Sequence, residues 1–312
     1  MASLNNKVYN PYPLPARQKK EKKRIPEIDF MRGFDIVLMV LYHLALDFSM
    51  LVTTDKVNGS AGVFKPINPV GFVAPAWIEA VEKLGQNVWW IYIRPDISPL
   101  QIIFSSLFMF LCGVSCTFSR SNYKRGIELL FLGITMSVAL DAFSVQTAFS
   151  IHIYLGIIQS LAIAIIIYAI FDRVNQSIQF DVGMALLFSL IYCASFGFDW
   201  NNNLTWATIP SITNGSTIAF FKDLPSFLLG YKAIGDDYFS PILTTMLVFI
   251  GAAFGKTFYK ERKSLLPSIV PTKWMKPINW LGRHSLEAYI LHQPVLYLLL
   301  WIILLPFGYT LA

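Results

Sequence analysis

The sequence predicts an all-α, polytopic membrane protein of about seven transmembrane helices with its N-terminus in the cytoplasm. Three observations carry this. Of 312 residues, 55% are hydrophobic and only 14% are charged, whereas soluble domains carry about 25% charged residues. The mean hydropathy is +0.52. The charges are also clustered between long uncharged runs instead of being spread over a soluble surface. Disorder, a disulfide scaffold, a cytosolic enzyme and a nucleic-acid-binding domain are excluded on these grounds, and the net charge of +6 reports orientation. Residues 1–27 read as a basic cytoplasmic tail and 28–312 as a single transmembrane domain.

A helix needs about 20 apolar residues to cross the hydrocarbon layer, and seven segments supply them. They run from about Ile28 to Val52, Ile97 to Phe118, Gly126 to Val145, Phe149 to Phe171, Val182 to Phe198, Phe239 to Gly255 and Gly282 to Phe307. The first is too long for a cleavable signal peptide and has no small-residue cleavage site after it. With the N-terminus inside, segments 1–32, 119–125, 172–179 and 256–283 are inner and hold 19 of the 25 Lys and Arg. The outer segments hold the other six, as the positive-inside rule requires. The block Arg17, Lys19, Lys20, Lys22, Lys23 and Arg24 is a topology anchor that also meets anionic lipid.

Two outer segments are long. In 53–96, Trp77, Val81, Leu84, Val88 and Ile91 fall on one helical face, with Trp89, Trp90 and Tyr92 at its end. That is a helix in the membrane interface. In 199–238, Asp and Asn alternate with aromatics, and residues 220–229 suit a short re-entrant piece. Interfacial and re-entrant pieces would bring the helix count to eight or more. The three cysteines form no framework. Cys112 and Cys116 share a helix face as packing residues, and no zinc-type spacing occurs, so no metal is expected.

Ionisable residues inside lipid cost a few kcal/mol each and mark function. The first segment carries Arg32, Asp35, His43 and Asp47. At 100° per residue these fall, with Met39, in one stripe, a polar track along the helix. Arg32 and His43 lie about 16 Å apart along the axis, which puts His43 near the bilayer midplane. Asp47, one turn on, can touch His43 and fix its tautomer, as the third member of a triad does. On the fourth segment His152 and Gln159 share a face. The last segment opens Gly282-Arg283-His284-Ser285 and reaches Tyr289 and His292. Arg283 and His284 near a helix N-terminus suit an anion, and His292 suits either catalysis or a hydrogen bond between helices.

These motifs carry a resemblance. The opening Asp29-Phe30-Met31-Arg32-Gly33, followed by His43 eleven positions after Arg32, resembles the first helix of transmembrane acyltransferases. The form His43-Leu44-Ala45-Leu46-Asp47 is similar to small bacterial members of the heparan-α-glucosaminide N-acetyltransferase catalytic family. Phe108-Met109-Phe110-Leu111-Cys112-Gly113-Val114-Ser115, Gly156-Ile157-Ile158-Gln159 and Trp280-Leu281-Gly282-Arg283-His284-Ser285-Leu286 through His292-Gln293-Pro294 resemble its second, fourth and final helices. The lysosomal branch differs: it has more spans and Asn at the position of His43.

The resemblance implies a multi-pass enzyme of a bacterial plasma membrane. It would take an acetyl group from cytoplasmic acetyl-CoA, a cosubstrate, and pass it to an extracytoplasmic sugar or glycan. Arg32, Asp35, Arg283 and His284 would meet the CoA. His43 would serve as general base or acyl carrier with Asp47 as its orienter. Gln159 would donate to the thioester oxyanion, and His152 and His292 would meet the acceptor. A homodimer is compatible with this reading. The alternative is a transporter or flippase using the same charged track.

Overall fold

The computed structural model describes residues 25–52, 64–66, 80, 83–88, 99–146, 153–195, 224, 227–228, 237–266, 273–307 and 309–311. Among them the architecture is helical. Helix α1 spans Pro26–Val52, α2 Pro99–Cys116, α3 Asn122–Gln146, α4 Ile157–Val174, α5 Ile178–Ser195, α6 Pro241–Phe258, α7 Met275–Arg283 and α8 Ser285–Leu304. A 3-10 turn, Leu305–Phe307, follows α8. Strands β1 (Phe64–Pro66) and β2 (Tyr309–Leu311) form an antiparallel ladder pairing Phe64 with Leu311.

Local sequence explains the helix starts. Pro begins α1, α2 and α6, where its missing N–H and fixed φ cost nothing. Glu27 and Asp29 in the first turn of α1 complement the helix dipole. Glu27 also accepts hydrogen bonds from Ser264 Oγ (2.8 Å) and the Leu265 N–H (2.7 Å). That ties the segment after α6 to the start of α1.

Three helices, Ile157–Val174, Pro241–Phe258 and Ser285–Leu304, are long and apolar enough to cross a membrane. Leu100–Cys116 and Ile178–Ala194 are shorter apolar helices. The first and third predicted segments are also helical, over α1 and α3, but carry ionisable residues within them. Outward-facing Phe131, Leu190, Val295 and Ile302 are largely exposed, as side chains that meet lipid are.

The main core lies among α2, α4, α5 and α6. Met109, Cys112, Leu161, Ile165, Tyr168, Phe188, Val248 and Phe249 are buried there. Two glycine-lined crossings set its tightness. A Cβ on Gly113 would stand 2.2 Å from the Val248 carbonyl oxygen, and one on Gly251 would stand 2.1 Å from that of Phe110. Helices α2 and α6 therefore touch backbone to backbone, the small-residue packing that membrane helices use. The same device joins α1 to α7: Cβ atoms on Gly33 and Gly282 would stand 1.8 Å from the Ile278 oxygen and 1.7 Å from the Asp29 oxygen.

At the basic end of the bundle, Lys256 of α6 pairs with Asp172 of α4 and Asp181 of α5, each at 2.8 Å. The Tyr168 hydroxyl donates to Asp172 (3.1 Å). This group locks three helix ends together.

Two boundaries differ from the sequence reading. The fourth helix begins at Ile157, later than the predicted Phe149. The last apolar segment is broken: α7 ends at Arg283 and α8 begins at Ser285, with His284 (φ −111°, ψ 31°) between them. In α7, Met275, Asn279 and Gly282 are buried while Lys276, Trp280 and Arg283 are exposed. It is an amphipathic helix of its own. Of the predicted interfacial helix, residues 80 and 83–88 are helical; the rest of it, and most of 199–238, lie outside the described residues.

Candidate active site

Helix α1 supplies the spine of the site. Its stripe of polar residues distributes among several neighbours. Arg32, at the basic end, turns to α2 and donates to the Leu111 carbonyl (3.3 Å) and to Ser115 Oγ. Asp35, one turn on, is buried, and its Oδ1 has no hydrogen-bond partner. Asp35, Met39, Tyr42 and His43 then form one wall of a cleft with about 550 Å³ of empty space. Gln101, Phe104, Ser105 and Phe108 of α2 face them. Ile157, Asp237, Phe239 and Tyr289 close the remaining sides.

His43 is held by its own helix. Its Nδ1 lies 2.9 Å from the Met39 carbonyl oxygen. A carbonyl only accepts, so Nδ1 carries the proton and Nε2 keeps a lone pair in the neutral ring. The expected orienter, Asp47, is not needed for that tautomer. Asp47 is buried one turn further along, with Oδ2 unpartnered, and lies close enough to Tyr297 of α8 for electrostatic interaction.

Across the α1–α8 contact, the rings of His43 and His292 stand 4.8 Å apart between centroids, at 75°. His292 Nδ1 bonds the Tyr289 carbonyl, and its Nε2 is buried with no hydrogen-bond partner. Pro294 sits two residues beyond. It removes one N–H from the ladder of α8, which a packed membrane helix tolerates.

Other predicted residues lie elsewhere. Gln159 is buried between α3 and α4, where its amide donates to the Gly133 carbonyl (2.9 Å) and to Ser137 Oγ (2.8 Å). Both its hydrogens thus serve helix packing. Arg283 and His284 are exposed at the α7–α8 joint. Arg283 donates to Asn279 O (3.1 Å), and the His284 ring packs tilted against Trp280, 4.8 Å between centroids. His152 lies outside the described residues. Among the described residues no cluster suited to a metal ion occurs.

The sequence reading missed the other half of the cleft. Tyr42 donates to Gln101 Oε1 (3.0 Å), joining α1 to α2 at the level of His43. Gln101 is the one Gln, Asn, His or charged residue between Asp96 and Arg120, a signal of the same kind as His43. Asp237 and Phe239 precede α6 and are placed by the chain path. The Phe239 carbonyl accepts a bond from Ser160 Oγ of α4, and the Phe239 N–H donates to Leu155 O (3.0 Å).

A second, apolar groove of about 1030 Å³ opens at the basic end. Phe30, Met31, Phe110, Leu111, Phe254 and Met275 line it. It shares the α1–α2 seam with the cleft: Met31 and Leu111 face the groove, while Asp35 and Phe108 face the cleft. Arg32 bonds across the same seam, to Leu111 O and Ser115 Oγ. Tyr259, just beyond α6, also lines the groove. Burial pushes its phenol above the ordinary range, and the Glu27 carboxylate adds to this.

The arrangement offers a part-buried imidazole base in a cleft that also holds Gln101, Ser105 and Asp237, and an apolar groove on the same helices. Acyl transfer needs such a base near the attacking group. No characterised protein and no solved structure matches the chain. A family model described as "Heparan-alpha-glucosaminide N-acetyltransferase, catalytic" matches residues 24–72 and 86–294. That range contains α1, α2, Gln101, Asp237 and both histidines of the pair, so the chain belongs to the heparan-alpha-glucosaminide N-acetyltransferase catalytic family and is a membrane protein of acetyltransferase type.

Proposed function

We propose that the protein moves an acetyl group from cytoplasmic acetyl-CoA to a hydroxyl or amine of an extracytoplasmic sugar or glycan. The observation that carries the reading is the placement of His43. Its Nδ1 is fixed by Met39, it lines the cleft, and the apolar groove is lined by the same two helices, α1 and α2. Seven helices would cross a bacterial plasma membrane, with the N-terminus inside and the basic end at the cytoplasm. The CoA diphosphate would rest at the basic end, where Arg32, Arg283, His284 and the tail supply cations. The thioester arm would enter along the groove.

At the cleft, His43 Nε2 accepts the proton of the attacking hydroxyl or amine. The new bond forms at the acyl carbon, the C–S bond breaks, and the departing sulfur takes that proton back from His43 and leaves as the thiol toward the basic end. Gln101, Ser105 and Asp237 at the far end of the cleft offer polar contacts to a sugar, and Phe104 and Phe239 offer ring faces.

Purified protein incubated with acetyl-CoA and glucosamine tests this. Free thiol and an N-acetyl product should appear together. His43→Ala should stop transfer while acetyl-CoA still binds by calorimetry, and Arg32→Ala should weaken that binding. A protein that neither binds acetyl-CoA nor releases thiol would overturn the reading and favour a transporter.

A further inference from the structure

We propose that His292 is the proton partner of His43, so that the two imidazoles share one proton across the α1–α8 interface. Three observations place it there. The ring centroids are 4.8 Å apart and the rings are near perpendicular. Each Nδ1 is committed to a carbonyl of its own helix, Met39 for His43 and Tyr289 for His292. Each ring therefore keeps Nε2 as its one exchangeable lone pair. His292 Nε2 is buried with no hydrogen-bond partner, a costly state in a helix bundle unless something arrives there. His43 lines the cleft and His292 does not, so His292 acts through His43 as a positioning residue.

The proton source rests on the acyl-transfer reading. The acceptor's O–H or N–H bond breaks as its oxygen or nitrogen bonds the acyl carbon. The proton moves to His43 Nε2 and on to His292 Nε2. When the C–S bond breaks, the proton returns through His43 to the departing thiolate. The acyl product and a free thiol leave, and both rings end neutral. The pair keeps a positive charge from standing alone at the cleft wall while both substrates are present. The other titratable groups around it are Asp35, Tyr42 and Asp47 on α1, Tyr289 and Tyr297 on α8, and Asp237 before α6. Facing it from α2 are only the uncharged Gln101 and Ser105.

The test follows carbethoxylation of His43 by peptide mass spectrometry over a pH series. It uses the detergent-solubilised full chain, the His292→Phe variant, which keeps a ring but no base, and His292→Gln, which keeps an acceptor. The midpoint of His43 reactivity should move to lower pH by about half a unit or more in His292→Phe, with His292→Gln between the two. In parallel, with acetyl-CoA and glucosamine as probes, kcat should fall about tenfold or more in His292→Phe. The KM for acetyl-CoA should stay within about twofold. A midpoint that stays put or rises overturns the pairing, even where transfer occurs. A midpoint that falls in a protein with no transfer keeps the pairing and overturns the acyl-transfer reading instead. If His292→Phe elutes as an aggregate, His292→Gln carries both measurements.

Discussion

His43 illustrates how little of its setting a histidine needs from neighbouring side chains. Its tautomer is set by the Met39 carbonyl 2.9 Å away, a group every helix provides. Two side-chain predictions follow. His43→Ala should lower acetyl transfer by about a hundredfold or more, the usual worth of a positioned base, with acetyl-CoA affinity nearly intact. Gln101→Leu removes the acceptor of the Tyr42 hydroxyl from a part-buried site. It should cost about 1 kcal/mol, read as a lower melting temperature, and raise the KM for the acceptor more than that for acetyl-CoA. The polar stripe of α1 was legible because charged residues at helical spacing stand out in an apolar run. Its pairing with His292 was not, because no periodicity links residues at opposite ends of a chain. Gln159 was legible as a buried amide but not as a packing bond, since Gly133 and Ser137 are reached only in three dimensions.

The positions of most helices follow from hydropathy, because lipid demands long apolar runs with satisfied backbones. The break at His284 does not follow, because the amphipathic turns of α7 merge by composition into the apolar run of α8. That short helix is held to α1 by paired glycines. Gly33→Ala would force its Cβ onto the Ile278 carbonyl, and neither backbone has a side chain that can yield. Overpacking of this kind costs about 1–3 kcal/mol. The variant should melt earlier in detergent, whereas Gly183→Ala, which meets nothing within 4 Å, should not. Helices α4, α5 and α6 depend instead on Lys256. Lys256→Met would leave Asp172 and Asp181 facing each other without a cation, a loss of about 3 kcal/mol by the usual cost of breaking a buried pair. Combining it with Asp172→Asn and Asp181→Asn should recover most of the melting temperature.

For the whole molecule, the asymmetry of Lys and Arg predicts that reporters fused to the two ends of the chain fall on opposite sides of the membrane, the N-terminal one in the cytoplasm. The cleft and the apolar groove are both lined by α1 and α2, and the guanidinium of Arg32 bridges those two helices. The consequence is electrical. Under the proposed transfer, a passage that took a thioester from one side and a sugar from the other would be a potential leak for protons and sodium across an energised membrane. A fixed positive charge on the α1–α2 seam would repel both, as a ring of charge does in a selective pore. An uncharged thioester arm would feel no such barrier. Arg32→Ala vesicles should therefore lose an imposed pH gradient faster than the parent protein does, so one side chain would let the cell keep its gradient while passing an acyl group.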